Sequence, residues 1–216
     1  MITLIVSDTH VGDPRFDSSG TIDIIKKTKF DRLVLNGDIV DFWLINEEKA
    51  KKDPLIQEIQ KIALEKEVVW VHGNHDYYAK ECGLLDNVKV LGMLKIHHGS
   101  QTTLILHGHQ IYRNENRGFW SRIGAKLNVF MYRHFKIDIQ KFFNTGKIYE
   151  WIVKKKRKNI ISTYGSDVNN IVIGHTHVFG TTCVKNKKLY DIGSTVMFRS
   201  YAIVEDENVL LISEEK

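Results

Sequence analysis

Short runs of apolar, β-branched residues recur along the chain, each closing on turn-forming or charged residues. Ile2 to Ser7, Arg32 to Asn36, Val68 to His72, Val88 to Leu91, Thr102 to His107 and Ile171 to Ile173 predict strands. Between the first three, Gly20 to Lys29 and Asp53 to Glu65 read as helices, so the first third is an alternation of strand and helix. Further along, Leu94 to His97 and Thr102 to His107 predict a hairpin around His98-Gly99-Ser100. Thr181 to Val184, Leu189 to Ile192, Ser200 to Val204 and Val209 to Ile212 predict more hairpin strands. The pattern predicts an α/β (α+β) fold in which a mixed sheet continues into an antiparallel one.

Between His107 and Ile171 the pattern changes. Trp120, Ile123, Leu127, Phe130, Met131 and His134 fall at three- and four-residue steps, predicting one amphipathic helix. A second is expected from Ile139 to Lys156, with Gly146 as a point where it can break. Residues Ile111 to Gly165 carry 13 Lys/Arg against three acids, a balance of +10, while the remaining 18 against 23 gives −5. The net charge of +5 therefore hides a basic segment in an acidic remainder. Eleven of the 22 aromatics lie there as well, so 111–165 reads as a basic, aromatic, helical insertion within one domain spanning 1–216. About half of those aromatics are expected to form a core, since a small subdomain must bury something.

At 216 residues, one well-buried domain with an insertion fits better than two domains. The N-terminus is apolar for only a few residues and has no basic flank, which predicts no signal peptide. No apolar run approaches the ~20 residues of a spanning helix, so the expected location is cytoplasmic. Cys82 and Cys183 lack the spacing of a disulfide framework or zinc ribbon.

Five motifs sit where predicted strands end: Asp8-Thr9-His10, Gly37-Asp38-Ile39-Val40-Asp41, Gly73-Asn74-His75-Asp76, His107-Gly108-His109 and Gly174-His175-Thr176-His177. Strand ends are where α/β folds place chemistry. The spacing of two suggests that each pair projects to one side of an extended segment, toward one ion or two neighbouring ions. A glycine before Asp38, Asn74 and His175 suits a chain turning sharply off a strand. Oxygen and nitrogen donors without thiolate suit Mn, Fe or Zn. Each motif alone is weak; five in succession point to a metal centre.

The ordered set D-x-H, G-D-x-x-D, G-N-H-D, H-G-H and G-H-x-H, spread over residues 2 to 177, resembles the calcineurin-like metallophosphoesterase superfamily. The resemblance implies a four-layer α-β-β-α sandwich with two divalent ions, Mn²⁺ as first choice and Fe or Zn as alternatives. Asp8, His10, Asp38 and His177 would hold one ion; Asn74, His107, His175 and the bridging Asp38 would hold the other. It implies a metal-activated hydroxide as the nucleophile that opens a phosphate ester or diphosphate bond. It also implies His75 as general acid, oriented by Asp41. Asp76 reads as a local turn residue, and His109 stays outside the ligand set.

A helical insertion between H-G-H and G-H-x-H, together with Gly37-Asp38-Ile39-Val40-Asp41-Phe42-Trp43, resembles the UDP-2,3-diacylglucosamine diphosphatases of lipid A synthesis. That subgroup implies a lipid-linked substrate and peripheral contact with an anionic inner membrane. The chain departs from it at His75, where the subgroup has arginine, and at His109, where it has aspartate. A phosphorylated small molecule is the other substrate class. A nuclease acting on single-stranded or damaged nucleic acid is a weaker alternative, and a non-enzymatic scaffold of the same fold is another. The insertion could equally cover a substrate, rest on a membrane or meet a second subunit, and the oligomeric state is open.

Overall fold

A computed structural model describes residues 1–77, 79, 83–111, 119–138, 146–194 and 199–214, without the side chains of 119–122. Successive side chains of a strand point to opposite faces, and here both faces are apolar. In β1 (Thr3–Val6), Leu4 and Val6 pack to one side and Ile5 to the other; in β2 (Arg32–Asn36), Leu33 and Leu35 oppose Val34. In β6 (Gln101–Leu106), Leu104 and Leu106 oppose Ile105, and in β7 (Asn170–Ile173), Ile171 and Ile173 oppose Val172. Strands buried on both faces need a layer on each side.

The result is four layers. Helices α1 (Ser18–Lys27) and α3 (Pro54–Ile62), with the short α2 (Glu47–Ala50) between them in sequence, cover the outer face of the first sheet through Ile25, Leu55, Ile56 and Ile59. Asp17 and Asp53 cap α1 and α3, and Pro54 occupies the first turn of α3, so these ends are set by local sequence. A middle core of Ile5, Val34 and Val69 against Ile105 and Val172 joins the sheets. On the far side, Ile160 and Ile161 of α5 (Lys147–Tyr164) pack on Leu104, Ile171 and Leu189. Helix α4 (Phe119–Phe135) precedes α5 in the chain.

The remaining strands are β3 (Glu67–Val71), β4 (Lys89–Leu91), β5 (Met93–His98), β8 (Gly180–Val184), β9 (Lys187–Asp191), β10 (Arg199–Glu205) and β11 (Asn208–Glu214). The first sheet runs β11-β10-β1-β2-β3-β4 and the second β5-β6-β7-β9-β8. The expected β5–β6 hairpin forms, pairing His98 with Gln101. The expected antiparallel continuation does not. Strands β10 and β11 return to the first sheet, β10 antiparallel to β1 and β11 antiparallel to β10, while β6, β7 and β9 run parallel, so both sheets are mixed. Hairpin-like spacing cannot say which sheet a strand joins, because that depends on partners distant in sequence.

Of the second expected helix, the described part runs Lys147–Tyr164, starting after the expected break point Gly146 and continuing past Lys156; residues 139–145 lie outside the described ones. Among described side chains of the segment, no aromatic is fully buried: Phe130 is 51% and Trp151 62% exposed. The inward positions of α5 are Val153, Arg157, Ile160 and Ile161, and Tyr164 packs partly buried against the same core. Trp120 lies outside the described side chains.

Asp76 has a larger role than a turn. Its carboxylate accepts from Gly73 N at 2.5 Å, Ile39 N at 2.7 Å and Trp70 Nε1 at 3.2 Å, bracing the loop after β3 against the loop after β2. Burial, then the neighbouring Asp38 charge, push its carboxyl above the usual range. Each donor orphaned in the interior costs about 1–3 kcal/mol. Asp76→Ala should therefore lower the unfolding free energy by about 3 kcal/mol or more, measured by urea denaturation. A loss below about 1 kcal/mol would mean that water replaces the brace.

Candidate metal centre

The C-terminal ends of parallel strands β1, β2 and β3 in one sheet, and of β6 and β7 in the other, carry the five motifs. Asn36 joins the sheets at this edge: its Nδ2 donates to Leu106 O, and its carbonyl accepts from His107 Nδ1 at 2.9 Å. Beyond the strands, Asp8 N bonds Gly37 O and His10 N bonds Asp38 O, which carries the β1–β2 contact into the loops.

The loops are not extended. Asp8, His10, Asp38, His175 and His177 all have φ between 47° and 68°, in the left-handed region. Such residues cost about 1–3 kcal/mol each and persist only where the surroundings over-determine them. The expectation that D-x-H and H-x-H project from an extended segment is therefore corrected: a tight left-handed turn at each ligand position brings the side chains inward. The glycines act chiefly through close approach. A Cβ on Gly73 would sit 2.1 Å from Asp38 Oδ1, and one on Gly174 2.2 Å from Asp8 Oδ2. Any side chain there would displace a carboxylate.

The side chains converge in three overlapping groups: Asp8, His10 and His177; His10, Asp38 and His75; and Asp38, His107 and His175. Asp38 Oδ2 lies 3.2 Å from His107 Nε2 and 3.9 Å from both His10 Nε2 and His75 Nε2, so it faces both halves of the cluster. Asp8 Oδ1 lies 3.3 Å from His177 Nε2, and the Asp8 carboxylate accepts from His175 N. Asn74 is buried beside them.

Whether these residues suit cations can be read from their unused atoms. Asn74 Oδ1, His10 Nε2 and His107 Nε2 are buried without a hydrogen-bond partner. Buried polar atoms are ordinarily satisfied, so several orphans facing one centre require a further partner. The His107 bond to Asn36 O keeps a proton on Nδ1, so that Nε2 would offer its lone pair inward once its own proton is displaced, the arrangement of a metal-ligating imidazole. The donor set fits two hard or borderline divalent ions.

The electrostatics agree. Burial would raise Asp8 and Asp38, but the His107 charge, helped by His177 at Asp8 and by His75 at Asp38, holds Asp8 low and Asp38 well below the usual carboxylate range. Burial opposes charge on His10, yet the Asp41 hydrogen bond and the Asp38 charge raise it to about 9. His107 rises to about 10 through Asp38 and Asp8, again against burial. His175, buried and next to the charge of His107, falls well below its ordinary value. Without cations, the buried carboxylates are thus balanced by protons on His10 and His107.

His75 stands at the rim. Its Nδ1 is 3.0 Å from Asp41 Oδ2, the same oxygen that lies 3.4 Å from His10 Nδ1. Trp43 stacks on its ring at 3.7 Å between centroids. His109, half-buried, packs 5.5 Å from the His107 ring, 5.7 Å from that of His72 and 6.5 Å from that of His175. His97 and His98 are far off in the β5–β6 hairpin, bonded to Thr102 and Thr103. Sequence reasoning missed Ser7, whose Oγ bonds Asp8 Oδ2 and Asn36 O, as well as Asn36 and Asp191, and it gave Asp76 only a turn and Trp43 only a place in a motif. Only Asn36, a polar residue ending an apolar run before Gly-Asp, gave a local signal.

Comparison with known proteins gives the same architecture. An archaeal phosphodiesterase aligns over 99% of this chain and 100% of its own, with 13% identity and a TM-score of 0.54. The phosphoesterase Yfce from E. coli aligns over 98% and 92%, at 16% identity and 0.55. Vps29 from Chaetomium thermophilum aligns over 99% and 95%, at 13% identity and 0.54. At such identities the likeness is one of fold, and a fold shared by phosphoesterases and a sorting protein does not by itself assign an activity. No curated protein sequence matches the chain. The family model for calcineurin-like phosphoesterases matches residues 1–179, so the chain belongs to that family.

Proposed function

We propose that the protein is a metal-dependent phosphoesterase hydrolysing a phosphate ester or diphosphate bond, with a dinuclear centre. Asp8, His10, Asp38 and His177 would hold one ion and Asp38, Asn74, His107 and His175 the other, Mn²⁺ being first choice. The observation that carries this reading is the set of buried, unpartnered ligand atoms around Asp38. Bound divalent ions would supply a water acidified enough to attack at neutral pH and would neutralise phosphoryl charge. The chain supplies the rest. His75 keeps its Nδ1 3.0 Å from Asp41 Oδ2 and would present Nε2 for donation to a departing alkoxide, while Trp43 fixes the plane of the ring. Asp41 is held below the usual carboxylate range, by His75 and His10 against burial, and stays an acceptor.

A second reading, hydrolysis of a lipid-linked diphosphate at an anionic membrane surface, is favoured by the outer faces of α4 and α5. Leu127, Phe130, Phe135 and Trp151 are exposed there among Arg133, Lys136, Lys154 and Lys155. Apolar anchors among cations match such a surface. Among the described residues, no helix is long and apolar enough to cross a membrane.

With Mn²⁺ the protein should hydrolyse bis-p-nitrophenyl phosphate, p-nitrophenyl phosphate or UDP-diacylglucosamine, and the Asp38→Ala variant should be inert on all three. Equal product release by wild type and variant would refute the assignment, and turnover of the nucleotide lipid alone would select the second reading. His75→Ala should slow esters with poor leaving groups about 10²-fold or more, and activated aryl esters less. Equal losses on both would remove His75 as the acid. Because His10 and His107 carry protons until about pH 9 and 10 in the metal-free protein, binding must displace them. Mn²⁺ affinity should rise with pH up to about 9, by roughly tenfold per unit for each proton displaced. Calorimetry in buffers of different ionisation enthalpy should count about two protons released near pH 7.5, and none would contradict the charge balance.

A further inference from the structure

His175 and His177 are two residues apart but are held by different parts of the fold. His175 is fixed by the core: its N–H donates to the Asp8 carboxylate, and Gly174 N donates to His107 O. His177 has left-handed backbone and a carbonyl on either side, Thr176 O before it and Val178 O after it. Both carbonyls are bonded by side chains of α5. Tyr149 Oη donates to Thr176 O at 2.7 Å, and Arg157 Nη2 donates to Val178 O at 2.6 Å.

We propose that Tyr149 and Arg157 are positioning residues for His177, so that helix α5 governs one of the two ion sites and not the other. This deepens the proposed function and rests on its ligand assignment.

The anchor behind these bonds is buried and nearly complete. Arg157 is 7% exposed and Asp191 0%, and Arg157 Nε donates to Asp191 Oδ2 at 3.0 Å. The same oxygen accepts from Thr176 Oγ1 at 2.5 Å, Thr176 Oγ1 in turn accepts from Val178 N, and Asp191 Oδ1 accepts from Gly193 N. One carboxylate at the end of β9 thus fixes both the guanidinium and the residue preceding His177. A guanidinium can serve both acceptors through separate N–H groups; an ammonium on a flexible stem cannot reproduce that fork. If Arg157 served only to pin α5 to the sheet, the Asp191 contact would suffice. The two further bonds, from Tyr149 and from Nη2, go to the peptides flanking a ligand. They oppose relaxation of a backbone that His177 would not adopt freely. Groups bonded behind a ligand commonly change metal affinity by about 10–100-fold when removed.

Arg157→Ala would leave Asp191 buried without a counter-charge and endanger folding. Tyr149→Phe removes one hydroxyl and is the variant of choice, with Arg157→Lys as its companion. Mn²⁺ is titrated calorimetrically into the full-length wild type, both variants and His177→Ala, which identifies the binding class that depends on this ligand. Far-UV circular dichroism verifies folding. Tyr149→Phe and Arg157→Lys should weaken the class lost in His177→Ala by about tenfold and leave the other class unchanged. Wild-type titration by Tyr149→Phe, or equal weakening of both classes, would overturn the proposal while leaving the dinuclear reading intact. Absence of Mn²⁺ binding by wild type would overturn both.

Discussion

Asp8 and Asp38 are carboxylates held out of water at the ends of adjacent parallel strands, and most of the site follows from making that tolerable. An ionised carboxylate in the interior is costly unless positive charge and hydrogen bonds surround it. Here His107 and His10 supply the charge, and the His175 and His75 backbone N–H groups supply bonds to the two side chains. The loops must turn through left-handed conformations to bring those groups close, and glycines 73 and 174 let the backbones approach. The sandwich is the device that keeps this costly arrangement from relaxing. Its strands are apolar on both faces and are clamped between packed layers, so their ends cannot move apart without uncovering apolar surface.

The same constraint explains why support reaches beyond the motifs. Asn36 fixes the His107 tautomer and ties one sheet to the other. Asp76 stitches the loops after β2 and β3 together and also receives the indole of Trp70 from the outer core. Asp41 serves His10 and His75 with one oxygen, so the ligand and the rim histidine share an orienting group. Helix α5 then connects the site to the basic segment: its inner face packs the fourth layer, its Tyr149 and Arg157 hold the His177 loop, and its outer face is exposed.

Separate parts of the segment contact separate loops. Arg15, just beyond the Asp8-Thr9-His10 motif, pairs with Asp138 after α4 as well as with Asp13, whose N–H bonds His10 O. Thus residues 111–165 touch the chain near Asp8 and His10 at one point and near His177 at another. These are the three residues of one ligand group. The Asp38, His107 and His175 group is built from the strand ends themselves.

By itself the sequence determined the strand positions, the capped helices α1 and α3, and the order of the ligand-type residues at strand ends. These are local properties: short apolar runs, Asp and Pro at helix starts, and polar residues that interrupt the runs. It also marked residues 111–165 as different in charge. It could not say that β10 and β11 return to the first sheet, because strand partnership depends on contacts between distant residues. Nor could it show that the ligand spacing of two works through left-handed turns, since backbone conformation there is imposed by the loops packed around it. Tyr149, Arg157 and Asp191 are ordinary in sequence, and only packing α5 against the ends of β7 and β9 makes them neighbours of His177.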